Sequence, residues 1–310
     1  LSDIESWCSE QDAGDLAEIM QHLADAHIAV IVEYDSRFKY FTHLVNRCIP
    51  ILRGNIAKTV FREGLQAVDE EKLTAIITGR GKRMEETPEA EDALCPKIEI
   101  MPAGKAGEDA DCVLKMSGIM GIYDPGAKIP RQTDEFIAFL NGRYRVMVDG
   151  KQLCISSLKD AVSQRIAFIS DNRHAARSAI FQNLSPAANA CIFMKHIWKR
   201  RYLYSEKIEK YLLVHTAQRY ELLKDLLEYA ENQDCYQIKA KNEYQLTIAK
   251  WLVYNPQIVV IFSPFGNNDL FSRRKYMKLQ HELAAEGKNV IVISCNYGDL
   301  SCCNKIYSFS

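Results

Sequence analysis

The chain lacks any apolar run approaching the roughly 18–20 residues needed to cross a bilayer. It also lacks charge of one sign: 39 Lys and Arg against 40 Asp and Glu leave a net charge of −1. That balance excludes the broad basic footprint of a general nucleic-acid binder. No CxxC pair occurs among its ten cysteines, and only Cys302 and Cys303 are adjacent. Thiols without a framework spacing read as core or surface residues of a cytosolic protein. No repeat with a period of 20–50 residues is present, which excludes a solenoid. No secretory leader is legible, and a chain opening on Leu1 is expected to be a fragment. What remains is an ordinary soluble composition, 47% hydrophobic and 25% charged over 310 residues. That length suits about two domains of roughly 150 residues.

One stretch organises the rest. Asn255-Pro256-Gln257 leads into Ile258 to Phe262, an amphipathic segment carries Tyr276, Leu279 and Leu283, and Gly287-Lys288 turns into Val290 to Ser294. A buried strand, a helix and a second buried strand form the unit of a parallel sheet.

Towards the amino terminus, Leu16, Ile19, Met20 and Leu23 mark a helix over 15–26, and Ile28 to Val32 reads as a covered strand. A helix over 37–46, a strand over 47–52, a turn at Arg53-Gly54-Asn55 and a helix over 69–78 follow. Residues 81–95 are charged, contain Pro88 and read as a solvated linker.

Beyond Pro96 the pattern shifts to short strands, at 98–100, 112–116 and 119–123, then a helix at 133–140. Asp149-Gly150 between two alternating runs predicts a hairpin. Ser156 or Ser157 caps a short helix, and 166–169 is another buried strand. Helices are predicted over 205–231 and 242–254, and a last strand over 305–309.

This order of elements resembles the ATP-binding subunit of ribose- and galactose-type sugar ABC importers, which carries two fused ATPase cassettes. The stretch Ile238 to Leu252 is similar to the family's "LSGGNQQKVVLARWL", sharing Asn242, Ala249, Trp251 and Leu252, with Asn255-Pro256 following. Ala284 to Lys288 repeats the family's "AAEGK". Asp149-Gly150-Lys151 and Asn189 also stand at family positions. The resemblance implies an α/β fold, with a P-loop NTPase-like parallel-sheet core, an antiparallel β subdomain and a helical subdomain over about 175–250. On that reading 1–80 is the end of a first cassette and 96–310 a second, degenerate one, both ends falling within a cassette.

The positions that handle nucleotide in the family are altered here. At the Walker A position stand Gly126, Ala127 and Lys128, flanked by Pro125 and Pro130, which donate no amide, and by the negative Asp124. The Walker B carboxylates are replaced by Phe262 and Ser263, and a phenyl ring binds no metal. The signature serine and two glycines are replaced by Lys239, Ala240 and Lys241 ahead of Asn242, and the switch positions hold Ser36 and Cys295. Concerted loss of groups that act as a unit removes orders of magnitude in rate.

The sequence therefore predicts a pseudo-ATPase with no catalytic residue, no metal and no cofactor. Its partners would be an ABC permease, another ABC ATPase subunit or a second copy of the chain. It would be cytoplasmic, peripheral on the inner face of the membrane and not inserted. An ATP-binding subunit with a weakened, partner-completed site is the alternative, with ATP and Mg as cofactors. A third reading, nucleic-acid binding through the basic and aromatic cluster Lys195 to Arg201, is disfavoured by the neutral net charge.

Overall fold

The computed structural model describes residues 10–32, 45–49, 51–52, 55–56, 60–61, 97–102, 114–116, 118–170, 179–194, 205–263 and 270–309. The chain divides into two compact units, Leu1–Glu89 with Gly266–Phe271, and Ala90–Phe265 with Ser272–Ser310.

The first unit opens with helix α1 (Glu10–Asp25). Its end is a Schellman motif: His27 takes a positive φ of 60°, its amide bonds Ala24 O, and the Ile28 amide bonds Leu23 O at 2.9 Å. The expected strand Ile28–Val32 does not form. Ile28 and Ile31 are 52% and 83% exposed, so the run is not the covered strand its composition suggests. The expected strand over 47–52 is two short ones, β1 (Arg47–Cys48) and β2 (Ile51–Leu52). Pro50 between them has no amide to donate to a ladder. They pair antiparallel with β4 (Val60–Phe61) and β3 (Asn55–Ile56), respectively. The helix read at 69–78 and the linker 81–95 lie outside the described residues, as does 37–44 of the helix read at 37–46.

The second unit is built on two sheets. Strands β5 (Ile98–Pro102), β6 (Leu114–Met116) and β7 (Ile119–Tyr123) lead to helix α2 (Thr133–Arg143). The hairpin β8 (Tyr144–Val148) and β9 (Lys151–Leu153) turns where predicted, with Asp149 and Gly150 at φ of 47° and 75°. Helix α3 (Leu158–Ser163), capped by the Ser157 side chain on the Asp160 amide, feeds β10 (Ile166–Ser170).

A helical layer follows: α4 (Pro186–Ala190), α5 (Glu206–Arg219), a 3-10 helix over Glu221–Tyr229 and α6 (Ala240–Leu252). The helix read across 205–231 is thus broken at Tyr220, which takes an extended conformation (φ −111°, ψ 124°) with its side chain fully buried. The closing elements are β11 (Ile258–Phe262), α7 (Leu270–Ala285), β12 (Asn289–Ser294) and β13 (Lys305–Ser308).

Five strands form a parallel sheet in the order β10-β11-β12-β7-β13, and four form an antiparallel sheet in the order β6-β5-β8-β9. Side chains alternate along each central strand. Val259, Ile261, Val290 and Val292 enter the core under the helical layer. Ile258, Val260, Phe262, Ile291 and Ile293 enter a second core shared with the antiparallel sheet. Both faces are covered, which is why these strands read as continuous apolar runs. Among the described residues no helix is long and apolar enough to cross a membrane.

Candidate functional site

Open parallel sheets bind ligands at the carboxyl ends of their strands. Here β11, β12 and β7 are adjacent, and their ends bring Phe262-Ser263, Ser294-Cys295 and Tyr123-Asp124 to one edge. The Ser263 amide bonds Ile293 O at 2.8 Å, and the Asp124 amide bonds Ser294 O at 2.9 Å. Gly126, Ala127 and Lys128 share this edge with Phe262, Ser263 and Cys295.

The loop after β7 is held by its own carboxylate. Asp124 is 3% exposed, and its two oxygens accept the amides of Lys128 at 3.0 Å and Ile129 at 2.7 Å. A third bond, from the Ala127 amide to Asp124 O at 3.1 Å, closes the turn. Ala127 bears a positive φ of 48°, unusual for a residue with a Cβ, whereas the Lys128 side chain is exposed. The sequence showed a negative charge near this loop; that it would satisfy the loop's own amides is a tertiary fact. Its signal is Asp-Pro-Gly, a turn former whose carboxylate can reach back to following amides.

Phe262 points away from this edge into the second core. It is 1% exposed, and its ring meets Phe136 edge-to-face at 5.0 Å. Ser263, next in line, has a positive φ of 42°. Its hydroxyl is buried and makes no hydrogen bond among the described residues. Cys295 is buried and accepts a hydrogen bond from Arg131 Nη2 at 3.1 Å. Beyond it the Ser294 hydroxyl donates to Asp299 Oδ2 at 2.6 Å, and Asn296 caps the turn through the Gly298 amide. Neither Arg131 nor Asp299 was singled out by sequence reasoning, which follows motif positions rather than their neighbours.

Lys239, Ala240, Lys241 and Asn242 begin α6 in the helical layer. Lys239 is the N-cap and offers no side-chain oxygen to the free amides. Lys239 at the positive end of a helix dipole is unfavourable, and Glu243 in the first turn offsets it. Asn242 is 2% exposed, and its side-chain amide donates to Gln245 Oε1 at 3.1 Å. Asn189 is also internal, bonding the amide and carbonyl of Phe181 at 2.9 Å each and Cys235 Sγ at 3.3 Å. Burial pushes the Cys235 thiol up to about 11, Asn189 partly offsetting it. Ser36 and the cluster Lys195 to Arg201 lie outside the described residues. No group of three or more metal-ligating side chains occurs among the described residues.

Sequence comparison points the same way as the motif positions. The ribose import ATP-binding protein RbsA 1 of Rhizobium meliloti (strain 1021) is 27% identical over 263 residues, covering 76% of this chain and 48% of that protein. The ribose import ATP-binding protein RbsA of Halalkalibacterium halodurans is 24% identical over 294 residues, covering 87% and 55%. The chain resembles the ATP-binding subunits of ribose importers. It spans about half the length of these relatives. The parallel core sheet, antiparallel sheet and helical layer that the resemblance implies are all present in the second unit. No protein-family profile matches the sequence. Among solved structures, cbiO1 from Clostridium perfringens, part of the ABC transporter complex cbiONQ, has a TM-score of 0.49 at 15% identity, covering 70% of this chain and 85% of that one. The ATP-binding cassette MJ0796 bound to ADP and Pi has a TM-score of 0.49 at 18% identity, covering 69% and 94%.

Proposed function

We propose that the protein is a catalytically degenerate counterpart of a sugar importer's ATP-binding subunit, acting through its surfaces as a structural or regulatory partner. The observation that carries this reading is the Asp124 carboxylate on the amides of Lys128 and Ile129. In a working site such amides cradle phosphate oxygens. Here they are satisfied internally, and a phosphate approaching them would meet a negative charge. Phe262 adds support, because a ring packed on Phe136 leaves no carboxylate for magnesium at the end of β11. The residues present do not fit ATP and magnesium, so no hydrolytic step is derived.

On this reading residues 1–80 are the end of a first cassette and 96–310 a second, degenerate one. The partner is a permease, another ATPase subunit or a second copy, met in the cytoplasm at the inner membrane face. The second reading, a nucleotide-binding subunit completed by a partner, draws on the exposed Lys128 beside Gly126.

Calorimetry and thermal unfolding with Mg-ATP separate the two. The expected result is no saturable heat and no rise in Tm. A saturable shift that Lys128→Ala reverses would overturn the proposal in favour of the second reading.

A further inference from the structure

Between the antiparallel and parallel sheets lies a cavity of about 110 Å³. Ile98 and Val146 line it from one sheet, Phe168 and Val260 from the other, and Phe136 and Ile155 from the elements between. Five of these six are deeply buried, from Ile98 at 1% exposed to Phe136 and Ile155 at 6%. Among the described residues every lining side chain is aliphatic or aromatic, Tyr144 alone carrying a polar atom.

Protein interiors are close-packed, and voids larger than a water molecule are few. This one is wide enough for more than one water, yet a buried water needs two to four polar partners, and the wall does not supply them. Such a lining offers water little to bond. A charged or hydrogen-bonding ligand would lose its hydration there without compensation. A neutral apolar one would gain contacts that the wall now lacks.

A second cleft, of about 320 Å³, lies at the edge strand β9 and shares Leu140, Tyr144, Val146, Leu153 and Ile155 with the cavity. Its rim carries Asn141, Gln152 and Ser156, and the Asn141 side-chain amide donates to Ile155 O. Strand β9 has three residues and, among the described residues, pairs with β8 alone, so moving it opens few of the described ladder bonds.

We infer that the cavity is a binding site for a small neutral apolar molecule of benzene-like size, entering past β9. The inference does not depend on whether the carboxyl edge of the parallel sheet takes nucleotide.

Benzene is the probe, with phenol as a comparator of the same shape bearing a hydroxyl. In thermal unfolding of the whole chain, benzene at ten times its dissociation constant raises the apparent folding constant about elevenfold. Tm rises accordingly, and phenol is weaker. Leu153→Phe, which adds bulk at the shared wall, raises Tm without ligand and abolishes the benzene response. A benzene response that survives Leu153→Phe unchanged, or no response near benzene saturation, overturns the inference. Should Leu153→Phe fail to fold, methyl NMR on the unaltered chain decides. The methyls of Ile98, Ile155 and Ile166 shift saturably with benzene, while Ile238 and Ile248 in the other core do not. Uniform shifts across both cores, or none, overturn it equally.

Discussion

The Tyr220 hydroxyl donates to Glu286 Oε2 at 2.8 Å and accepts from the Lys288 ammonium at 2.9 Å. One phenol thus joins the break between α5 and the 3-10 helix to the turn between α7 and β12. Lys288 is 5% exposed and also pairs with Glu286. Burial holds the Lys288 amine below its ordinary value, and the charge and hydrogen bond of Glu286 partly restore it.

Tyr220→Phe removes the shared hydroxyl while keeping the ring. The cost is about 1–3 kcal/mol, the penalty of a buried polar partner left short. A lowered urea midpoint with an unchanged m-value is the expected signature.

Phe262→Ala opens a void in the second core and costs about 3–5 kcal/mol. A double-mutant cycle with Phe136→Ala isolates an aromatic coupling of about 0.5–1.5 kcal/mol. Phe262→Asp, which on the proposed function restores a carboxylate, buries a charge among Phe136 and its neighbours. The expected outcome is loss of cooperative unfolding rather than gain of ATP hydrolysis.

Asp124→Asn keeps one oxygen for one loop amide and turns an NH2 group towards the other. One buried amide loses its acceptor, at a cost of about 1–3 kcal/mol in denaturant unfolding. Phosphate release from Mg-ATP stays at background, because removing a surrogate anion does not supply a magnesium ligand or a general base.

His281, half-buried on α7, is held by burial below its ordinary value of 6.5. The unfolded chain therefore takes up a proton near pH 6.5, and the folded chain only at lower pH. In that window the unfolded state binds more protons, so stability falls as pH falls. Urea midpoints measured at about pH 7.5 and pH 5.5 drop less for His281→Gln than for the unaltered chain.

Legibility followed the range of the interactions. Ile258 to Phe262 and Val290 to Ser294 were readable as buried strands because both of their faces are apolar. The hairpin was readable because Asp149-Gly150 can adopt the positive φ it needs. Ile28 to Val32 has the same composition as a covered strand, but composition does not provide cover, and Ile28 and Ile31 are exposed. Tyr220 broke a helix that local propensity favoured, since burying its ring and bonding Glu286 and Lys288 outweigh one turn of helix.

At the candidate site, the sequence by itself determined which chemical groups are available: a phenyl ring and a serine after the apolar run of β11, and lysines about the start of α6. Side-chain chemistry needs no coordinates. Only the tertiary structure decided where the groups that remain are directed, because that depends on contacts between residues distant in the chain. Phe262 turns inward because Phe136 offers it an apolar partner. Asp124 turns onto its own loop because its carboxylate satisfies the amides of Lys128 and Ile129, the second of them at a buried position.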